Sequence, residues 1–158
     1  MSFNPKVIIL LSGKRKSGKD FAAEWLTAAV GPADCRLLRL SAPLKKAYAT
    51  ENNLDFAELL SDSLYKETHR RDMVRWGEER RSRDPGFFCR ATINADNCDR
   101  PPTWVVADCR RKTDLRYFQS VYGESAGVAA VRVEASDRTR AERGWTFAKG
   151  VDDEVSYL

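Results

Sequence analysis

A short glycine-containing stretch near the N-terminus constrains the fold of this chain more than any other feature. Gly13-Lys-Arg-Lys-Ser-Gly-Lys-Asp20 has the spacing G-x-x-x-x-G-K, and it lies between an apolar run at residues 7–11 and a helical pattern that starts at Ser17. A loop of this kind between a strand and a helix turns backbone N–H groups inward, and the helix N-terminus adds partial positive charge. The stretch therefore predicts a phosphate-binding loop.

The rest of the chain alternates between apolar runs and helical patterns. An unbroken apolar run at residues 7–11 predicts a strand buried on both faces, and the mainly apolar stretches at 37–40, 103–108 and 128–133 predict three further strands. Helical spacing predicts helices from residue 17 to a break at Gly31-Pro32, at 42–53, through the charged segment 51–83, at 87–95 and at 114–122. Residues 135–158 carry no clear core pattern. Strands that alternate with helices predict an α/β domain with a mostly parallel sheet.

Composition and cysteine usage narrow the class of protein. With 158 residues and a formal net charge of +4, the chain has the length of one domain and favours anionic partners. The four cysteines have no C-x-x-C spacing and His69 is the only histidine, so we expect reduced structural thiols in the cytosol and no zinc site. The sequence contains no run of about 18 apolar residues, so we predict no membrane span. The N-terminal apolar run is interpreted as a strand and not as a signal peptide.

Two carboxylates are candidate Mg²⁺ ligands. Asp20 stands where phosphate loops usually have a hydroxyl, and it offers a hard cation a charged oxygen. Asp108 ends an apolar strand, the position from which a second acid steadies Mg²⁺ in phosphate-loop enzymes. Each has a structural alternative, since Asp20 also suits the first turn of a helix and apolar strands often end in Asp at a turn.

Arginines after the third strand and in the charged segment suggest a second anion pocket. Arg110 and Arg111 follow the carboxyl end of that strand, where open α/β sheets bind ligands. Arg70, Arg81 and Arg90 are further candidates, although surface ion pairs would account for each of them equally well.

The late segment contains three arginines, Arg138, Arg140 and Arg143. Arg140 and Arg143 are three residues apart and would share a helix face. One interpretation is a solvated helix. The other is a closing lid whose arginines neutralise charge on a transferring phosphoryl group.

The chain lacks the H-R-D-type motif with which many kinases position a carboxylate base for a hydroxyl acceptor. A phosphate acceptor has a second pKa of about 6 and is largely anionic at neutral pH, so it needs no base. It needs positive charge to bring two anions together, as arginines would supply. The sequence thus favours a kinase that acts on a phosphate group.

Several longer strings resemble animal-type phosphomevalonate kinases. They cover nearly the whole chain from residue 7 to 153: the glycine loop, Leu38-Arg-Leu-Ser41, Pro43-Leu-Lys45, Tyr65-Lys-Glu67, Arg75-Trp-Gly-Glu-Glu79, Asp84-Pro-Gly-Phe-Phe-Cys-Arg90, Asp108 with Arg110-Arg111, Arg143-Gly-Trp145 and Gly150-Val-Asp-Asp153. In this family Asp is the normal residue at the end of the loop. The resemblance implies a three-layer P-loop fold like that of nucleoside monophosphate kinases, with a lid, and transfer of the γ-phosphoryl of Mg·ATP to 5-phosphomevalonate in isoprenoid and sterol synthesis.

The resemblance also assigns roles by motif. Residues expected to bind ATP are Gly13, Lys14, Arg15, Lys16, Ser17, Gly18, Lys19, Asp20, Arg140 and Arg143; Asp20 and Asp108 would hold Mg²⁺. Residues expected around the acceptor are Lys45, Arg70, Arg81, Arg90, Arg110 and Arg111. The catalytic set would be Lys19, Arg110, Arg111 and Arg143.

The resemblance implies one P-loop kinase domain over residues 1–158, with an acceptor-binding helical region at about 43–100 and a lid at 135–150. Family members continue beyond the Gly-Val-Asp-Asp string with a strand and a long helix that this sequence lacks, so we expect exposed apolar surface on the sheet. A cytosolic monomer with a small-molecule substrate, without nucleic acid or membrane, is expected. The alternatives are a nucleoside-monophosphate-type kinase and a truncated, non-catalytic ATP-binding homologue.

Overall fold

The computed structural model describes residues 4–61, 63–95, 101–149 and 151–152. Four strands and seven helices follow one another in these ranges: β1 (Val7–Ser12), α1 (Lys19–Val30), β2 (Cys35–Leu38), α2 (Ser41–Asn52), α3 (Phe56–Leu60), α4 (Leu64–Arg83), α5 (Phe87–Ala95), β3 (Thr103–Val106), α6 (Lys112–Tyr122), β4 (Gly127–Arg132) and α7 (Asp137–Glu142).

The strands form one sheet in the order β2-β3-β1-β4, and every neighbouring pair is parallel. The predicted α/β class with a parallel sheet is therefore confirmed. β2 begins and ends two residues earlier than predicted, and β3 ends at Val106, so Asp108 lies in the turn that follows the strand. Because all strands are parallel, their carboxyl ends and the glycine loop after β1 share one edge of the sheet.

Two hydrophobic clusters cover the two faces of the sheet. Ile8 and Leu10 of β1 pack in a cluster with residues of α5 and α6, including Phe118. Ile9 and Leu11 belong to the opposite cluster, with Ala23 of α1. Alternate residues of β1 thus face opposite layers, as the pleat of a strand requires. Helix, sheet and helix make the three layers.

The charged segment 51–83 was predicted as one helical stretch, and this prediction is wrong in its continuity. The structure breaks the segment at residues 53–55 and again after α3. Asp55 accepts a hydrogen bond from the Glu58 N–H, and Ser63 accepts one from the Lys66 N–H, so each begins a new helix. Within α4, Glu67 forms an ion pair with Arg70.

α2, α3 and α4 form a third cluster beside the sheet, around Tyr48, Leu59 and Met73. Trp76 packs against this cluster. The ring of His69 lies edge-on to Tyr65. This helical unit is held near the carboxyl edge of the sheet because α2 starts directly after β2.

β4 is the outermost described strand beyond β1, and nearly all of its residues are exposed, including Val131. Cys35, Cys89 and Cys109 are buried and free, as predicted, while Cys98 lies outside the described residues. Within the described ranges, none of the helices is both long and apolar enough to cross a bilayer.

Candidate active site at the carboxyl edge of the sheet

The glycine loop adopts a backbone that few side chains would tolerate. Gly18 has φ 98° and Lys16 has φ 62°, both in the left-handed region. At Gly13 a Cβ atom would lie 2.5 Å from the Val133 carbonyl oxygen and 2.6 Å from Ser17 Oγ, far inside contact distance. The loop is therefore wound tightly against the end of β4, and only glycine fits at position 13.

Lys19 carries a charged group that is almost completely buried. It is only 4 % exposed, and no carboxylate or carbonyl of a described residue pairs with its ammonium. Burial lowers its pKa to about 8, and the positive charge of Arg110 adds to this effect, against the opposing charges of Asp20 and Asp108. A buried ammonium without a partner is costly unless an anion joins it.

The buried hydroxyl of Ser17 also lacks a hydrogen-bond partner among the described residues. An orphaned hydroxyl and an unpaired ammonium in one loop fit the oxygens of a bound phosphate chain. The residues present thus suit a nucleotide polyphosphate at this loop.

The late segment is bound to the loop through loop carbonyls. Arg140 Nε donates to the carbonyl oxygen of Arg15 at 2.8 Å, and Arg143 Nη1 donates to that of Lys16 at 2.9 Å. Arg140 is buried, and its guanidinium lies 3.9 Å from the centre of the Trp145 ring. Arg140 thus holds loop backbone, whereas Arg143 is exposed beside Gly18.

A further contact ties the same segment to the loop side chains. Arg15 donates to both carboxylate oxygens of Asp152, at 2.9 and 2.6 Å, and to the Thr146 carbonyl oxygen at 3.0 Å. Burial alone would raise the pKa of Asp152, but the hydrogen bonds from Arg15 and the Ala148 N–H outweigh it and hold that pKa below its usual value.

Two cavities flank Asp20. One, of about 580 Å³, is lined by Lys16, Gly18, Lys19, Asp20, Phe21 and Arg143. The other, of about 660 Å³, is lined by Asp20 together with α2, α4 and the residues after β3. Because Asp20 lines both, the side of the glycine loop and the side of the helical unit meet at this carboxylate.

Positive charge dominates the larger cavity. Its lining contains seven basic side chains against the three carboxylates Asp20, Glu24 and Asp108; the basic residues are Arg39, Lys45, Lys66, Arg70, Arg81, Arg110 and Arg111. Burial, followed by the nearby charge of Lys66, lowers the pKa of Lys45. Such an excess of cations at a partly buried site suits a ligand with more than one negative charge.

The structure brings five of the six predicted acceptor residues into this cavity and leaves one out. Lys45, Arg70, Arg81, Arg110 and Arg111 line it. Arg90 is absent from the lining, is exposed, and pairs with Asp84. Arg70 pairs with Glu67, and Arg138 pairs with Glu142 on the exposed side of α7.

The two candidate metal ligands have different surroundings. Asp20 is exposed and accepts from Arg39 at 3.0 Å. Asp108 accepts from the backbone N–H groups of Leu40 and Ser41, at 2.7 and 2.9 Å, so it caps the start of α2.

Within the described ranges there is no cluster of three or more His, Cys, Asp or Glu residues arranged to hold a metal. Mg²⁺ is commonly held by one or two carboxylates and the phosphate oxygens of a substrate, so this pair still suits it.

Several residues of the site escaped prediction. Arg39 and Lys66 line the larger cavity, and Phe21 lines the smaller one. Asp114 and Glu78 contact the cavity arginines Arg81 and Arg111. For Asp114 a signal existed, because an acid three residues after a helix-starting residue is typical of an N-terminal cap.

Comparison with known proteins identifies similar chains. The family model "Phosphomevalonate kinase" matches residues 11–124. A phosphomevalonate kinase from Drosophila melanogaster is 43 % identical over 147 residues, which cover 92 % of this chain and 77 % of that protein. A chain from a solved structure of a Pnkp1/Rnl/Hen1 complex superposes with a TM-score of 0.44 at 14 % identity; the match covers all of this chain and 45 % of that one.

Proposed function

The chain belongs to the phosphomevalonate kinase family, and we propose that it transfers the γ-phosphoryl group of Mg·ATP to 5-phosphomevalonate, giving 5-diphosphomevalonate and ADP. The observation that carries this proposal is the position of Lys19. Its ammonium is buried and has no partner among the described residues. It lies beside Asp20, where two cavities meet: the smaller one beside the glycine loop (the loop cavity) and the larger, mainly basic one (the cationic cavity). Two anionic substrates can therefore approach one another across a fixed positive charge.

On the donor side, the glycine loop binds the phosphates of ATP. The Ser17 N–H already donates to the Lys14 carbonyl oxygen. Other backbone N–H groups of the loop and the ammonium of Lys19 offer hydrogen bonds to phosphate oxygens, and the Ser17 hydroxyl gains a partner. The exposed guanidinium of Arg143 lies over Gly18 and adds a second cation. Asp20 and Asp108 would hold Mg²⁺, which screens the charge of the phosphates when it is bound.

On the acceptor side, the cationic cavity binds the phosphate and carboxylate of 5-phosphomevalonate. Arg81 and Arg111 have largely buried side chains, and Arg110 extends positive charge toward Lys19. Guanidinium groups bind such oxyanions with paired N–H donors. Arg70 and Lys45 complete the lining.

The acceptor phosphate needs no general base. An oxygen of the acceptor phosphate attacks the γ-phosphorus, the bond from that phosphorus to the β–γ bridging oxygen breaks, and ADP leaves with the electron pair. The carboxylates of the cavity are otherwise engaged, since Arg39 pairs with both Asp20 and Glu24, and backbone N–H groups bind Asp108. Positioning and charge neutralisation are the contributions of this chain.

We further propose that residues 43–100 provide the acceptor region, and that residues 135–150 act as a lid over ATP. The hydrogen bonds from Arg140 and Arg143 to the loop support the second assignment. A cytosolic monomer is also proposed; its buried free thiols suit a reducing compartment, and gel filtration would test the oligomeric state.

The test is product formation with a panel of acceptors. The purified chain with Mg·ATP is offered 5-phosphomevalonate, mevalonate and each nucleoside monophosphate separately, and ADP and the phosphorylated product are quantified. We expect turnover with 5-phosphomevalonate only. Turnover confined to a nucleotide would replace the proposed acceptor, and ATP binding without turnover on any acceptor would indicate a binding protein.

A further inference from the structure

We infer that Asp114 is a positioning residue for the acceptor: with Glu78 it fixes the guanidinium groups of Arg81 and Arg111 in the orientation that receives an anion. We take the acceptor pocket of the proposed function as the premise. Neither carboxylate lines the cavity, so each acts on the substrate only through the arginines.

Asp114 lies behind the cavity wall in the first turn of α6. It is 1 % exposed, and its Oδ1 is 3.7 Å from Arg81 Nε. Its Oδ2 accepts from the backbone N–H of Arg111 at 3.4 Å. One buried carboxylate therefore contacts the side chain of one cavity arginine and the backbone of the other.

Glu78 completes the arrangement from α4. Its Oε1 accepts from Arg111 Nε and from Arg81 Nη1, the latter at 3.4 Å. Arg81 also lies over the Phe88 ring, with its Cζ 4.9 Å from the ring centre. The two guanidinium groups, one from α4 and one from the residue that precedes α6, are thus held in one unit by two carboxylates and an aromatic face. Long flexible side chains fixed in this way lose less entropy when an anion binds.

The burial of Asp114 disfavours its ionised form in the folded chain. Burial raises its pKa, and the charge of Asp108 adds to the rise, against the opposing effects of Arg81 and the Arg111 N–H. The buried thiols of Cys89 and Cys109 are its other titratable neighbours. A carboxyl whose pKa is higher in the folded than in the unfolded chain binds a proton on folding, so its ionised form lowers stability at neutral pH.

The test compares Asp114→Asn and Glu78→Gln with the parent. We expect each variant to raise the KM for 5-phosphomevalonate about tenfold and to leave the KM for ATP within about twofold. Glu51→Gln is the matched control, since Glu51 is exposed and pairs with Arg80 outside the cavity. We expect it to change neither KM.

A second measurement does not depend on the acceptor. In ¹H–¹⁵N spectra, the Nε–H signal of Arg81 should exchange with solvent severalfold faster in Asp114→Asn than in the parent, and the Nε–H signal of Arg111 should do so in Glu78→Gln. Unchanged exchange with an unchanged acceptor KM would overturn the inference, and so would a lower melting temperature with parallel changes in both KM values. If the parent fails to use 5-phosphomevalonate, the proposed function falls, and the arginine signals still decide whether Asp114 positions the pair.

Discussion

The guanidinium of Arg15 and the carboxylate of Asp152 form a two-point hydrogen-bonded pair, at 2.9 and 2.6 Å, across a sequence separation of 137 residues. Both side chains are largely buried. The pair joins the middle of the glycine loop to the end of the described chain, so it links the conformation of this loop to a segment distant in sequence.

Asp152→Asn should therefore weaken ATP binding. Loss of the charged partner removes the paired acceptor of Arg15 and frees the loop, and we expect a rise of about fivefold in the KM for ATP with a loss of about 1–3 kcal/mol in stability. Steady-state kinetics and thermal unfolding measure the two effects. Glu142→Gln is the control, because its pair with Arg138 is solvent-exposed and should contribute little. Equal effects of the two variants would refute this role of the pair.

The same pair should make the parent sensitive to acid. The pKa of Asp152 is lower in the folded chain than in the unfolded chain, so its contribution to stability is present above the unfolded value of about 4 and is lost as the pH falls through the lower folded value. The difference in unfolding free energy between parent and Asp152→Asn should shrink over that range. A difference that stays constant from pH 6 to below about pH 3 would contradict the linkage.

Replacement of Lys19 should stabilise the ligand-free chain. The pKa of Lys19 is lowered in the fold, so the charged form costs stability below about pH 8, and the cost disappears as the pH rises toward 10.5. Each pKa unit corresponds to about 1.4 kcal/mol, so the shift from 10.5 to about 8 sets an upper limit of about 3.5 kcal/mol for the gain in Lys19→Met at pH 7. Denaturant unfolding at pH 7 and pH 10 would measure it. A variant less stable than the parent at pH 7 would be the contrary result.

Substitutions of the two candidate metal ligands should have different effects on the stability of the chain. Asp108→Asn removes the charge that caps α2, and we expect a loss of about 1 kcal/mol as well as a higher Mg²⁺ requirement. Asp20 is 61 % exposed at the side chain and pairs only with Arg39 among the described residues, so Asp20→Asn should change the Mg²⁺ requirement alone. Activity against Mg²⁺ concentration, beside melting temperature, distinguishes them. Unchanged Mg²⁺ dependence in both variants would remove both from the metal site.

An exposed aromatic ring beside the loop should contribute to nucleotide binding. Phe21 is 75 % exposed and lines the loop cavity with Arg143, which places a flat apolar face and a guanidinium within reach of a base. Phe21→Ala should raise the KM for ATP by about threefold or more without loss of stability. Trp25→Ala, one turn further along α1 and outside that lining, is the matched control. A larger effect at Trp25 than at Phe21 would exclude this role.

Local sequence patterns predicted the order of the strands and of most helices. The glycine loop, the four strands and most helices follow from residues that are neighbours in sequence, such as the apolar run of β1 and the break at Gly31-Pro32. The continuous helix over 51–83 failed because uniform charge masked the capping residues Asp55 and Ser63. Charge pattern reports exposure better than it reports helix ends.

The details of the site depend on contacts that no local pattern encodes. Asp108 caps a helix whose first residues lie 67 and 68 positions earlier, and Arg140 reaches a carbonyl 125 positions away. Arg140 was predicted to bind ATP as an arginine of the lid, on the same helix face as Arg143. Its observed contacts with the loop backbone and Trp145 depend on the folded chain, and its role toward ATP stays a prediction.

Phosphoryl transfer by Lys19→Met tests the central claim most directly, because the unpaired ammonium of Lys19 is the group on which the proposed reaction depends. The parent and the variant would be given γ-labelled ATP, Mg²⁺ and 5-phosphomevalonate, and label in the diphosphate product would be followed in single turnovers, with circular dichroism to verify the fold. We predict labelled product with the parent and a rate at least about a hundredfold lower with the folded variant. A variant rate within about twofold of the parent would contradict the account.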